Sequence, residues 1–254
     1  MTRIVPYRLL RESRGRMFRS VDYTFTYYQG CGAEEGQLAC PYCWTRWQFD
    51  RPISRFPKLM WTDPSAELPD DIREAVIFVN SAHDTFAPVI PREYVDDLLS
   101  FISHQHPSVE FLLQSKWPGR ALEWEEALEK SKDRVILGTT LESTYQGVLD
   151  DIGCRPPPLV ERVRAMSELH DRGYRTRLSL EPLFRFNPIA MACYIEAIGP
   201  ELIEIGLDNY GRRHRLNIPQ PDPAHVRELL KSIKKMGIDV NLKKGMDAFL
   251  RRGL

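Results

Sequence analysis

Short apolar runs of β-rich composition recur along this chain, and stretches of helical periodicity separate them. The runs are DYTFTYY (22–28), AVIFVN (75–80), VEFLLQ (109–114), RVILGTTL (134–141), TRLSLEP (176–182) and LIEIGL (202–207). Their length and their content of branched and aromatic residues predict strands. In between, Tyr94, Val95, Leu98, Leu99 and Ile102 share one face of a predicted helix. Leu159, Val163, Met166 and His170 do so in a second, with Gly173 suited to end it. Val226, Leu229, Leu230 and Ile233 form a third stripe, closing at Gly237. Strand–helix alternation predicts βαβ units and a mostly parallel sheet. The expected class is α/β, as a partial (β/α)6-type barrel of mostly parallel strands; a doubly wound sheet is the other architecture such a pattern permits.

The chain has 254 residues, 43% of them hydrophobic, enough for a sizeable core. The proline-rich CRPPPL (154–159) reads as a loop feeding a helix, and no linker stands out. The expectation is one domain over 1–254, with a basic arm at 1–20 and a C-terminal extension at 238–254. Net charge is zero, but it is unevenly spread. Residues 1–58 hold ten Lys/Arg against five Asp/Glu, residues 209–254 eleven against four, and the segment between is net −12. The N-terminus carries six arginines without an apolar run, unlike a secretory signal. AVIFV is far too short to span a bilayer. A cytoplasmic protein with no membrane association is expected, in a compartment that keeps thiols reduced.

Each predicted strand ends in polar residues. Asn80 and Ser81, with Asp84 beyond, follow the second run; Gln114, Ser115 and Lys116 follow the third. Thr140 with Glu142, Ser179 with Glu181, and Asp208 with Asn209 follow the rest. Ligands bind at the carboxyl ends of strands in barrels and open α/β sheets. Loop polarity alone explains any single one of these residues; five such ends in register with a cysteine-bearing loop indicate a site.

That loop, GCGAEEGQLACPYCW (30–44), follows the first run and holds Cys31, Cys40 and Cys43 in the spacing C-x8-C-x2-C. Three is an odd number for disulfides and one short of a closed structural zinc site. A zinc site would need a fourth ligand from Cys154, Cys193 or a histidine such as His83. A ferredoxin-type cluster would need four cysteines. Three thiolates on a four-iron cluster leave one iron open to another ligand.

A strand, a three-cysteine loop ending C-x-aromatic-C with Tyr42 between Cys40 and Cys43, and then a βα repeat resemble the radical S-adenosylmethionine (SAM) superfamily. The usual spacing there is C-x3-C-x2-C, so the long first gap shifts the resemblance to a subgroup. The chain is similar to the phage-type radical SAM family and distantly to spore photoproduct lyases. VNSAHDTF (79–86), FLLQSKWP (111–118), LGTTLES (137–143) and LSLEPL (178–183) look similar as well. The resemblance covers roughly residues 21–220.

It implies a [4Fe–4S] cluster on Cys31, Cys40 and Cys43, with the fourth iron chelating the amino and carboxylate groups of SAM. One-electron cleavage would yield methionine and a 5′-deoxyadenosyl radical that abstracts hydrogen from a substrate. Tyr42 would lie near the adenine, and Asn80 and Ser81 would match the position binding the SAM amino group. Glu142 and Ser179 would match positions near the ribose or carboxylate, with Glu181 and Asp208 further candidates and Lys116 a carboxylate partner by charge. Cys154 would be placed to donate hydrogen to a product radical, as a cysteine does in photoproduct lyases. Cys193, in the helical stretch PIAMACYIEAI, reads as a core residue. The implied partners are a one-electron donor such as a flavodoxin or ferredoxin, and nucleic acid as a candidate substrate. Arg212, Arg213 and Arg215 beside Tyr210 would track phosphates and stack bases, with Lys243, Lys244, Arg251 and Arg252 adding charge; the alternative is a solvated loop whose arginines pair with the acidic middle of the chain. The competing reading is a metal- or cluster-binding protein with a structural, sensing or nucleic-acid-binding role and no catalysis.

Overall fold

The computed structural model describes residues 4–6, 9–13, 18, 20–32, 34, 39–43, 45, 57–211 and 215–252. Eight strands form the central sheet: β1 (Leu10–Glu12), β2 (Tyr23–Phe25), β5 (Ala75–Val79), β6 (Val109–Gln114), β7 (Val135–Thr140), β8 (Arg175–Leu180), β9 (Leu202–Ile205) and β10 (Asp239–Leu242), in that order. β1 runs antiparallel to β2. The β2–β5, β5–β6, β6–β7, β8–β9 and β9–β10 pairings are parallel. A separate antiparallel pair joins β3 (Tyr28–Gln29) to β4 (Lys58–Leu59). This is the α/β class with a mostly parallel sheet that strand–helix alternation predicts, consistent with a partial (β/α)6-type barrel.

The chain divides into two compact units. The first is Met1–Leu38 with Ser54–Gly138, the second Ala39–Ile53 with Thr139–Leu254. In the first, Phe18, Val21, Phe78, Leu112 and Ile136 form one apolar layer. The opposite strand faces send Phe25, Tyr27 and Phe111 against Phe101 of helix α1 (Arg92–His104), with ring centroids 5.4, 5.5 and 6.4 Å away. α1 buries Val95, Leu98, Leu99 and Ile102 as its periodicity requires, and Phe101 besides; Tyr94 is half-buried at the edge of the stripe. A 3₁₀ turn (Pro118–Trp124) and α2 (Glu125–Glu129) complete this unit's helical elements among the described residues.

The second unit contains α3 (Gln146–Asp150), α4 (Leu159–Asp171), α5 (Pro188–Ile198), α6 (Pro223–Met236) and α7 (Met246–Leu250). Asn187 and Asp222 cap α5 and α6 by accepting from the N–H groups of Ala190 (3.0 Å) and Ala224 (2.7 Å). Pro188 and Pro223 stand at the first helical positions, and Gly199 and Gly237 close the two helices in the left-handed region.

Two expectations are corrected here. His170 is exposed, because the buried stripe of α4 runs through Arg162, Val163, Met166 and Leu169 and leaves the imidazole at its edge. Cys193 is exposed rather than core. α5 buries Met191, Ile195 and Ile198, and a residue two past Met191 points to the other side. The run at 22–28 breaks into β2 and β3, and the segment 238–254 contributes β10, paired with β9 from Asp239↔Leu202 to Leu242↔Ile205. No described helix is long and apolar enough to cross a membrane.

Candidate functional site

In the first unit the residue that ends β5 organises the cysteine loop. Asn80 adopts φ 53°, a left-handed conformation that stops the strand. Its N–H donates to Phe25 O (2.7 Å), and its Oδ1 accepts from the N–H groups of Tyr27 (2.9 Å) and Tyr28 (3.1 Å). One asparagine thus ties the exit of β2 to the end of β5 and steers the chain toward Cys31. The loop is held again just ahead. Gly30 N–H donates to His83 Nδ1 (3.3 Å), Gly30 O accepts from Asp84 N–H (3.2 Å), and Gly32 O accepts from Val89 N–H (3.4 Å). Cys31 is therefore bracketed by two glycines, at φ 135° and 137°, whose backbone groups bond to residues 83–89.

Asp84 is the anchor of that segment. It is buried, and its carboxylate accepts from Ser115 Oγ (2.5 Å) and from the N–H groups of Lys116 (2.8 Å) and Phe86 (3.1 Å). Burial raises its pKa, opposed by those hydrogen bonds and the Lys116 charge. Ser115 N–H continues the chain of contacts to Gly138 O (2.9 Å) in β7. His83 is pushed down to about 4 by burial, so at neutral pH its ring is uncharged and Nδ1 is free to accept. Ser81 and Lys116 are half-buried beyond β5 and β6.

In the second unit, Cys40 and Cys43 form one turn, with Cys43 N–H donating to Cys40 O (3.1 Å). Cys40 is buried; Cys43 is half-buried, with its Sγ 2.8 Å from Thr45 Oγ1. Between them Tyr42 is buried, its ring edge-on to Phe184 (5.2 Å) and its hydroxyl donating to Glu142 Oε1. Glu142 Oε2 lies 2.9 Å from Arg162 Nη1, and both side chains are almost wholly buried. Arg162 donates further to Thr140 O (3.0 Å) and Pro157 O (2.8 Å). Burial raises the Tyr42 pKa well above its ordinary value, reinforced by charge on Cys40 and Glu142. Burial lowers the Arg162 pKa, but the charges on Glu142, Tyr42 and Cys40 and the hydrogen bond to Glu142 together raise it above its ordinary value. Cys154 is half-buried close enough to Tyr42 to act on it electrostatically, and the next residue, Arg155, donates its N–H to Ala39 O (3.0 Å).

Across β8, β9 and β10, Ser179 pairs with Glu204 and Glu204 with Asn241, so a polar row crosses three strands. Asn241 Nδ2 donates to Glu204 Oε1 (3.1 Å). Lys243 stands between Glu181 Oε2 (3.5 Å) and Glu204 Oε2 (3.6 Å). Burial raises the Glu181 pKa, with Lys243 opposing it. Asp208 turns back on its own loop, accepting from Tyr210 N–H (3.0 Å). Arg215 is exposed; Arg212 and Arg213 lie outside the described residues.

The structure gathers Asn80, Lys116 and the Cys31 loop around Asp84 in one unit, and Tyr42, Glu142 and Cys40 around Arg162 in the other, with Cys154 acting on Tyr42. Ser179 and Glu181 stand with Glu204, Asn241 and Lys243. Arg162, Glu204 and Asn241 escaped sequence reasoning altogether. Glu204 had a signal, a charge within LIEIGL; Arg162 had none, since it reads as a solvated helix position. Cys31, Cys40 and Cys43 are each free of a disulfide, and thiols of this kind suit a thiophilic metal. Among the described residues no group of three His, Cys, Asp or Glu side chains is gathered as a metal site.

No family model matches the chain, and no curated protein does. Solved structures do match. A spore photoproduct lyase mutant with bound AdoMet and dinucleoside spore photoproduct aligns with TM-score 0.64 and 12% identity, over 94% of this chain and 80% of that one. Another mutant of spore photoproduct lyase gives TM-score 0.66 and 12% identity, over 94% and 81%. Streptococcus suis SuiB bound to its precursor peptide SuiA gives TM-score 0.53 and 11% identity, over 88% of this chain and 49% of SuiB. At these identities the likeness is one of fold: the chain is similar in architecture to spore photoproduct lyase through nearly its whole length.

Proposed function

We propose that this protein is a radical SAM enzyme. The observation that carries the reading is the conjunction of a C-x8-C-x2-C loop after β2 with the fold of a lyase solved with AdoMet bound. Cys31, Cys40 and Cys43 would hold a [4Fe–4S] cluster. When bound, such a cluster supplies one electron for the reductive cleavage of SAM, the source of a hydrogen-abstracting radical.

The rest falls to the chain's own side chains. Asn80, through Oδ1, and Asp84, through its three donors, fix the backbone that presents Cys31. Ser81, Lys116, Ser179, Glu181 and Asp208 follow strand ends or occupy the last residues of strands, and are proposed to contact SAM. Lys243 stands between the carboxylates of Glu181 and Glu204, within ion-pair reach of both. Cys154, beside Tyr42, is proposed as the hydrogen donor to a product radical. A flavodoxin or ferredoxin would deliver the electron. Nucleic acid is the first substrate class to test: a dinucleoside is bound in one neighbour, and Arg215 and Tyr210 follow β9 here.

Cofactor content tests the reading. Anaerobically reconstituted protein should carry about four iron and four sulfide per chain and bind SAM. Cys31→Ala, Cys40→Ala and Cys43→Ala should each lose the iron, and Cys193→Ala, on the exposed face of α5, should keep it. Retention of iron in Cys31→Ala with loss in Cys193→Ala would show the wrong ligands had been chosen. Iron without SAM binding would favour a non-catalytic metalloprotein.

A further inference from the structure

Glu142 follows β7 at a position where the superfamily resemblance puts a contact to SAM. Its geometry here serves another purpose. Its side chain has no solvent exposure, Oε1 accepts from the Tyr42 hydroxyl, and Oε2 is paired with Arg162. Arg162 is itself 1% exposed and is anchored by two backbone carbonyls, Thr140 O at the end of β7 and Pro157 O just before α4. The Glu142 main chain is fixed as well, since its carbonyl accepts from Phe184 N–H (2.7 Å), the same residue whose ring meets Tyr42. Three segments far apart in sequence thus converge on Tyr42, one of the two residues between Cys40 and Cys43.

A buried ion pair is an expensive way to hold a loop by packing alone. Desolvating both charges offsets much of their attraction, and an apolar trio of equal volume would pack as well. What the pair adds is direction. A carboxylate clamped by a guanidinium offers an acceptor at one fixed point, and the Tyr42 hydroxyl has to meet it. A single hydrogen bond, Cys43 N–H to Cys40 O, closes the turn, and Tyr42 sits inside it, so a fixed Tyr42 restrains the backbone that carries both cysteines.

We infer that Glu142 and Arg162 are positioning residues which, through the Tyr42 hydroxyl, set the orientation of the Cys40 and Cys43 thiols. The inference rests on the reading of these two cysteines as ligands of an iron–sulfur cluster, but the arrangement it concerns is made of protein groups alone, so it can be tested on protein prepared without metal.

The experiment has two arms. In the first, metal-free protein is treated with N-ethylmaleimide and the modification of each cysteine is followed by peptide mass spectrometry. Cys193, exposed, serves as the internal reference. Tyr42→Phe keeps the ring against Phe184 and removes the hydroxyl; it should raise the Cys40 rate about 10-fold, the equivalent of about 1.4 kcal/mol of opening, with Cys193 unchanged. A single Glu142 or Arg162 substitution leaves a buried charge alone and threatens folding. The paired variant Glu142→Leu/Arg162→Met removes both charges, and should fold by circular dichroism while showing the same rise. In the second arm, reconstituted Tyr42→Phe with full iron should show an altered electron paramagnetic resonance signal of the reduced cluster, and Tyr42→Trp should not restore it. Cys40 reactivity within twofold of wild type in both folded variants overturns the inference. So does a rise in reactivity with an unchanged resonance signal, which would make the trio a packing contact. Failure of wild type to take up iron refutes the cluster reading alone, because the first arm reports on the turn without metal.

Discussion

A histidine whose Nδ1 already accepts a backbone N–H resists a second proton. His83 does so for Gly30, and burial holds it at about 4, against 6.5 for an ordinary imidazole. Between those values the unfolded chain binds the proton and the folded one does not, so stability rises with pH through that window. It is fully present above pH 6.5 and lost as pH falls toward 4, a difference on the order of 3 kcal/mol. Urea midpoints measured from pH 7 down to pH 4.5 should fall, and His83→Asn, which keeps an acceptor without a titrating ring, should flatten the decline. An identical slope in the variant would mean that other groups carry the effect. Residues such as this mark the limit of sequence reading at the scale of single side chains. Cys40 and Cys43 stand out in the sequence by their C-x2-C spacing. Arg162 does not, because its burial is decided by Glu142, twenty positions away, and a helix pattern sees only its own face.

Elements repeat the lesson. β6 coincides with the predicted run at 109–114, because its apolar residues are continuous and its core is local to the first unit. β10 was missed: Asp239, Val240, Asn241 and Leu242 carry too little apolar signal, and the strand exists through pairing with β9. The loop holding Cys31 depends on Gly30 for a reason that is visible only in three dimensions. At φ 135° a Cβ would come within 2.6 Å of Ile90 Cδ1 and 3.3 Å of Pro57 Cα. Gly30→Ala should therefore cost about 1–3 kcal/mol and lower iron per chain. Gly237→Ala, at the end of α6 with open space around its Cβ, should cost about 1 kcal/mol and leave iron unchanged. Equal iron in both variants would remove Gly30 from the account of the site.

For the whole molecule, composition is neutral and the class of fold is legible, because alternation of strands and helices is a property of the entire chain. Substrate class is not legible in the same way, since it depends on which charges share a face. The basic ends motivate one test. If nucleic acid is the substrate, the triple variant Arg212→Ala/Arg213→Ala/Arg215→Ala should bind single-stranded oligonucleotides more weakly, with a salt dependence shallower by up to about three ion equivalents. Wild type that fails to bind even at low salt would redirect the search to peptides and small molecules.

The most direct test of the central claim needs no substrate. Anaerobically reconstituted, chemically reduced protein is incubated with SAM, and 5′-deoxyadenosine is measured by mass spectrometry. The account predicts slow release by wild type and by Cys193→Ala, and none by Cys43→Ala. Wild type loaded with iron and sulfide that binds SAM and yet releases no 5′-deoxyadenosine above the Cys43→Ala background would contradict it.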